Sequence, residues 1–205
     1  MVLISRQSNH PLNASVYSSS QSFSDISAMH EQINYIVVPE GLAADQSGTP
    51  LPKPSFVYRQ VLDYVITIAE EGDAVYLAPA NHYGGKTSEH EAAFEYLEKN
   101  KRPGVRCYSP PVKCEKYIDT YGNAHYLKLF LQDAIDYMSF ELVCAHIHSY
   151  RAAHCFKTQG FNLKKVHRVY YTVAHENIVI RLWYYRLKPI HVVYELGAFM
   201  RDIIR

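Results

Sequence analysis

The chain has 205 residues, of which 48% are hydrophobic and 20% charged, and its 21 basic and 20 acidic side chains leave a formal charge of +1. This length and composition are typical of one globular domain with a full core. The sequence shows no block of like charge, no apolar run long enough to span a membrane and no secretory signal. We therefore expect a cytoplasmic protein that binds neither nucleic acid nor membrane.

Two regions of different character follow one another along the chain. Residues 1–24 are polar and Ser-rich and are predicted to form an arm, whereas 25–205 are predicted to form a single domain. Apolar runs of strand length fall at 35–41, 73–80, 104–108, 140–147 and 164–173. Helical periodicity is found from about residue 24 to 33 and over 56–71, 88–101, 121–138, 150–158, 175–187 and 191–204.

Strands and helices alternate with short links, and this order predicts the fold class. It favours an α/β protein, a doubly wound three-layer α/β/α sandwich with a mostly parallel sheet and a helical C-terminal tail at 175–205. The turn-rich segment 42–53 is predicted to be irregular, and Pro189 is predicted to divide the two tail helices. Ligands of such folds bind at the carboxyl ends of the strands, so candidate functional residues are those that directly follow a strand.

The first two strands are followed by polar and Gly-containing loops. Glu40 and Gly41 come after the first strand, and Asn81, Gly84 and Gly85 come after the second. Next, Ser88 precedes a helix in which Glu91 is either the partner in a capping box or a catalytic acid.

The third loop leads into a helix that begins near Asp119, Thr120 and Asn123. This trio is either an N-cap with its first turn or part of a site, because free N–H groups and the helix dipole favour an anion there. A catalytic role for Asp119 and ligand contacts for Thr120 and Asn123 follow from the second interpretation.

The fourth loop carries His146, His148 and Arg151 after the most apolar strand. His148 is the candidate proton shuttle, and Arg151, in a first helical turn, is expected to pair with an acidic ligand or a carboxylate. In an extended segment the two histidines would point to one side and could bind a metal together with Glu40 or Asp119. Histidines that are simply hydrogen-bonded are commoner, and we predict no metal.

Other residues leave two interpretations open. Arg59 lies on an otherwise apolar helix and either extends to water or binds the ligand. The tyrosine-rich strings at 169–171 and 183–186 are typical of packing, with a stacking platform for an adenine ring as the alternative.

Six segments occur in a characteristic order: a strand into a Gly-containing loop, an arginine in the first helix, a strand into a Gly-Gly loop, a Glu-Ala helix start, an Asp-Thr-x-x-Asn-Ala motif and a His-x-x-Arg-Ala motif. They are Tyr35–Gly41, Arg59, Ala78–Gly85, Glu91–Ala92, Asp119–Ala124 and His148–Ala152. Over about 35–160 this order resembles the ElyC/SanA/YdcF family. The resemblance implies a Rossmann-like fold and, since a soluble member is similar to a binder of S-adenosylmethionine, an adenosyl ligand.

The combined expectation is a hydrolase or transferase that acts on an anionic, nucleotide-like or S-adenosylmethionine-like small molecule. The alternatives are a non-catalytic binding or regulatory protein on the same scaffold and a metal-dependent hydrolase. A homodimer through the C-terminal tail is a further prediction.

The predicted ligand site depends on Glu91, Asn123 and Arg151 being neighbours. The predicted catalytic residues are His148, Glu91 and Asp119, and the predicted ligand-binding residues are Glu40, Gly41, Arg59, Asn81, Gly84, Gly85, Thr120, Asn123, His146 and Arg151.

Overall fold

The computed structural model describes residues 31–112 and 116–204. The predicted Ser-rich arm at 1–24 and most of the helix predicted after it lie outside the described residues. In chain order, the described elements are β1 (Asn34–Val37), β2 (Leu42–Ala44), β3 (Pro50–Pro54), α1 (Phe56–Ile68), β4 (Ala74–Leu77), α2 (Glu89–Asn100), β5 (Arg106–Tyr108), α3 (Thr120–Leu131), β6 (Phe140–Ala145), α4 (Ser149–Thr158), β7 (Leu163–Val169) and α5 (Lys188–Ile204), with 3-10 helices at Gln132–Tyr137 and Ile180–Arg186.

Five strands form one parallel sheet in the order β5-β4-β1-β6-β7. Their side chains alternate between two separate apolar clusters. Val37 and Val143 face α1 and α2, whereas Ile36 and Leu142 face α3 and α4. Helices therefore cover both faces of the sheet, which confirms the predicted three-layer, Rossmann-like α/β/α fold.

Local signals account for where the helices begin. Ser55 caps α1 by accepting the N–H of Tyr58. Ser88 and Glu91 form the complete capping box predicted for α2. Asp119 caps α3 through the N–H of Gly122.

One sequence prediction about irregular regions is wrong, and the predicted boundaries within the tail are shifted. The segment predicted to be irregular contains the antiparallel pair β2–β3. Proline has no backbone N–H to donate, so the prolines of β3 are tolerated because they lie in an edge strand. The tail has two helical parts, as predicted, but the first is a 3-10 helix that begins only at Ile180, and the break falls at Leu187 rather than at Pro189. Residues 177–179 are extended against β2, a 3-10 helix follows, and Pro189 lies in the first turn of α5, where a missing N–H costs no intrahelical bond.

Candidate functional site

The candidate site lies where the sheet order reverses. β1 and β6 are neighbours, but the helices that follow them cover opposite faces, so a crevice opens between their carboxyl ends. Glu40 comes three residues after β1, and His148 comes three residues after β6. The topology thus brings both side chains to one edge of the sheet.

Glu40, His148 and Thr120 form a buried row of hydrogen bonds. His148 Nδ1 lies 3.1 Å from Glu40 Oε1, and His148 Nε2 lies 3.0 Å from Thr120 Oγ1. The three residues are exposed by only 1%, 4% and 4%. They come from three separate elements: the loop after β1, the turn before α4 and the first residue of α3.

The hydrogen bonds of Glu40 determine which ring nitrogen of His148 is the donor. The carboxylate accepts the N–H of Ala145 at 2.8 Å and the hydroxyl of Tyr185. A carboxylate can only accept, so Nδ1 of His148 donates to Glu40, and Nε2 is left to exchange a proton with Thr120. Burial lowers the pKa of His148, but the negative charges of Glu40 and Glu195 outweigh burial and raise that pKa above its ordinary value.

Glu89, which was not among the residues predicted from the sequence, is a second acidic group at this edge. It is the first residue of α2 and is 3% exposed. Its carboxyl group accepts the hydroxyl of Tyr83 at 3.0 Å and the N–H of Asn81 at 3.2 Å. Burial raises its pKa from 4.5 to about 7, where a carboxyl group both gives and takes protons at neutral pH.

Two asparagines hold the surrounding loops together. The amide of Asn81 bonds to both the N–H and the C=O of Ile118, at 2.7 and 2.8 Å, so the loop after β4 is fastened to the loop before α3. Asn123 Nδ2 donates to the carbonyl of Pro79 at 2.5 Å. These amides are satisfied by backbone groups, and the site is accordingly built before any ligand arrives.

These groups enclose a small inner chamber with a volume of about 30 Å³, which suits a group the size of a water molecule. Gly41 has a φ of 92°, and a Cβ there would collide with Leu182 in the chamber wall. The chamber is lined by Pro39, Gly41, Asn81, Tyr83, Glu89, Tyr117, Ile118, Thr120, Asn123, His148, Arg151, Leu182, Tyr184 and Tyr185.

A larger outer cavity of about 380 Å³ shares Asn81, Tyr83 and Tyr117 with the inner chamber. Its wall carries two exposed cations, Lys116 and Arg181, and the Arg181 guanidinium lies 5.4 Å from the centre of the Tyr117 ring. The outer cavity therefore combines positive charge with an exposed aromatic face. The full set of lining residues is Gly48, Pro50, Asn81, His82, Tyr83, Gly84, Lys116, Tyr117, Val179, Ile180 and Arg181.

Arg151 lines the inner chamber, but its charge is already engaged. Its guanidinium binds Glu195 with two hydrogen bonds of 2.6 and 3.0 Å and lies 3.5 Å from Asp202. The expected pairing with a carboxylate is present, and the carboxylates come from α5 rather than from a ligand.

Two predicted catalytic acids are used for helix capping. Glu91 is exposed, accepts the N–H and hydroxyl of Ser88 at 2.8 and 2.9 Å, and does not line the chamber. Asp119 caps α3 and lies 3.4 Å from Arg201. Asn123 and Arg151 do share the chamber, so the expected trio is only partly assembled.

Three predicted ligand-binding residues lie elsewhere. Arg59 pairs with Glu176 at 2.8 Å, His146 stacks on Tyr170 with ring centres 4.2 Å apart, and Gly85 lines a different cavity. The chain turns after β6, and so the two histidines do not share a side as they would in a strand. No cluster of three metal-ligating side chains occurs within 31–112 and 116–204.

The residues that sequence reasoning missed are Glu89, Lys116 and Arg181, whereas Tyr184 and Tyr185 belong to the tyrosine-rich string already singled out at 183–186. The sequence did carry a signal for Glu89. Glu91, at the third helical position, is engaged by the cap, and Glu89, at the first position, therefore points to the opposite side of the helix. For Arg181 no local signal exists, because the segment that carries it reaches the site by a long-range return of the chain to β2.

No family model, curated protein or solved structure matches the chain. The resemblance to the ElyC/SanA/YdcF family therefore stays a prediction. Among the helices in the described part of the chain, none has the length and apolar character that crossing a membrane requires.

Proposed function

We propose that this protein is a cytoplasmic enzyme, a hydrolase or transferase, that acts on an anionic, nucleotide-like or S-adenosylmethionine-like small molecule. The observation that carries the proposal is the row Glu40–His148–Thr120 at the wall of a polar chamber. A histidine fixed by a carboxylate on one side, with its other nitrogen against a hydroxyl in the chamber wall, is arranged for general acid–base catalysis.

Two groups supply proton transfer in this proposal. His148 passes a proton through Nε2, and Glu89, with a pKa of about 7, acts as the complementary acid or base from α2. Both groups lie against the same chamber. This assignment replaces the predicted catalytic roles of Glu91 and Asp119, whose carboxylates are used for capping.

The charges favour one orientation of the ligand. One acidic group lines the inner chamber, and three more lie behind its wall against the two basic groups that line it, so an anionic group is disfavoured there. Lys116 and Arg181 make the outer cavity the favourable place for a phosphate or carboxylate. The acidic groups are Glu40, Glu89, Glu195 and Asp202, and the basic ones are His148 and Arg151.

The outer cavity also suits a flat ring. Tyr117 is 51% exposed, and the cavity of about 380 Å³ is within the range of small-molecule sites. An adenine ring can stack on Tyr117 beside the Arg181 guanidinium while the reacting group enters the inner chamber. An adenosyl or other nucleotide-like ligand meets these requirements.

Binding and turnover can be measured together with defined probes. We expect 5′-AMP and S-adenosylmethionine to raise the Tm of the purified protein and one of them, or an ester of 5′-AMP, to yield a product detectable by mass spectrometry. Arg181→Glu should weaken binding at least about tenfold, because it removes a charge-assisted contact and adds repulsion.

Lys164→Glu is the matched control. Lys164 is an exposed cation near the start of β7, at the opposite edge of the sheet, and the same charge reversal there should leave the affinity unchanged. Equal losses in both variants would show that only overall charge matters. Binding without any product would favour the non-catalytic alternative, and the absence of both would overturn the proposal.

The predicted homodimer stays a prediction. On α5, apolar side chains remain exposed: Ile190, Val192, Val193, Leu196, Met200, Ile203 and Ile204.

A further inference from the structure

Thr120 occupies the position of a nucleophile in the buried row. Its Oγ1 is 3.0 Å from His148 Nε2, and His148 Nδ1 is 3.1 Å from Glu40 Oε1. A hydroxyl, a histidine and a carboxylate joined in this order, with both contacts inside hydrogen-bond range, is the arrangement that activates serine and threonine hydroxyls. Thr120 also lines the inner chamber, so a reacting atom placed there would meet its oxygen.

We propose that Thr120 is a covalent nucleophile that accepts the acyl group of a carboxylic ester whose body is anionic and aromatic. This inference rests on the proposed function, because it places the anionic body in the outer cavity and the ester carbonyl in the inner chamber.

The charge around the chamber favours an acyl group over a phosphoryl group. Glu40 and Glu195 are buried close to His148, and Glu195 and Asp202 already neutralise Arg151. A phosphoryl group would carry its own negative charge into this acidic surrounding, whereas an ester carbonyl is neutral. The small volume of the chamber also admits a carbonyl more readily than a tetrahedral phosphate.

The reaction balances with water as the only co-reactant. Thr120 Oγ1 attacks the carbonyl carbon while its proton passes to His148 Nε2; the O–C(acyl) bond forms, the ester C–O bond breaks, and the proton moves on to the departing alkoxide. Water then attacks the acyl-threonine and gives a proton to His148. The Thr120 oxygen leaves with that proton, and a carboxylic acid is released.

Two features near Thr120 suit the negative charge that develops on the carbonyl oxygen. Thr120 is the first residue of the 12-residue helix α3, so the positive end of the helix dipole lies at the reacting centre. One turn later, Asn123 lines the same chamber; its amide nitrogen donates to the carbonyl of Pro79, and an amide nitrogen carries two hydrogens.

The test uses 2′(3′)-O-acetyl-AMP as the probe. The wild-type protein should release acetate, and stopping the reaction early should leave an acetyl group on Thr120, located by tandem mass spectrometry. Thr120→Ala should lower acetate release at least about 1,000-fold and abolish the adduct, whereas Thr120→Ser should restore both. Thr158→Ala, at the exposed end of α4, is the matched control and should leave both unchanged.

The possible outcomes separate this inference from the proposed function. Acetate release that persists in Thr120→Ala, or an adduct on another residue, would overturn the role of Thr120 and leave the enzyme proposal standing. If the wild type binds 5′-AMP and converts another probe but releases no acetate, the acyl chemistry is wrong. Should Thr120→Ala fail to fold, the serine variant and the wild-type adduct decide the question.

Discussion

At the scale of single residues, burial gives Glu89 and His148 their properties. Glu89 receives hydrogen bonds from Tyr83 and from the backbone of Asn81, yet burial still raises its pKa to about 7. Tyr83 adopts a φ of 49°, which is unusual for a bulky side chain and costs free energy that the surrounding contacts must supply. Strain and a buried acid at one edge of the sheet are typical of a functional site.

Glu89→Gln should stabilise the protein at alkaline pH. The folded-state pKa of about 7 exceeds the ordinary 4.5, so the folded protein holds this proton more tightly than the unfolded chain. The stability that the wild type gains from holding this proton is fully present below pH 4.5 and is lost as the pH rises through 7. The variant should therefore gain up to about 3 kcal/mol relative to wild type by pH 8.

Urea unfolding at a series of pH values measures this difference. Glu95→Gln, on the exposed side of the same helix, is the control and should show no comparable trend. A Glu89→Gln variant whose advantage does not grow between pH 4.5 and pH 8 would contradict the account of Glu89.

Predictions for single residues were confirmed where the contact forms between residues that are close in the sequence. The capping box of Ser88 and Glu91 is confirmed, because caps depend on local spacing. His148, Thr120 and Asn123 line one chamber, and their contact with a ligand stays a prediction. Glu89 was missed although the predicted capping box, which engages Glu91, leaves the first helical position facing the other way.

At the scale of elements, α5 is fastened to α4 by buried charges. Arg151 binds Glu195 and approaches Asp202, and both carboxylates are almost fully buried. Burial opposes ionisation of Glu195, but His148, His191 and Arg151 together lower its pKa below the ordinary value. The helix that carries Glu195 thus supports Arg151 in the wall of the site.

Glu195→Ala should destabilise the fold by about 3–5 kcal/mol, since it leaves the buried Arg151 without its bidentate partner. Glu176→Ala removes the partner of Arg59, but that pair is 30% and 40% exposed, and the expected cost is below about 1 kcal/mol. The free energy of unfolding in urea compares the two pairs. Similar costs for both variants would contradict the role assigned to α5.

The sequence predicted elements well where periodicity is strong. The five strands of the sheet and helices α1 to α4 all lie within or close to the predicted ranges. The β2–β3 pair was missed because proline and glycine at 48–54 mask an extended conformation that depends on pairing. The extended run at 177–179 owes its shape to β2, more than 130 residues earlier, which no local pattern encodes.

At the scale of the whole molecule, the fold separates binding from chemistry. The outer cavity offers Lys116 and Arg181 to an anion, and the inner chamber offers His148, Glu89 and Thr120 to a reacting group. The parallel sheet makes this possible because it collects the ends of β1, β4 and β6 at one edge. This division predicts that a substitution in the inner chamber can abolish the activity of the protein while the outer cavity keeps its affinity for the ligand.

The most direct test is to measure turnover and binding in His148→Ala. We expect acetate release from 2′(3′)-O-acetyl-AMP to fall at least about 100-fold, while the affinity for 5′-AMP and the folded state remain largely intact. His125→Ala, on the exposed face of α3, should behave as wild type in both measurements. Turnover that persists in folded His148→Ala protein would contradict the central claim that this histidine moves the proton.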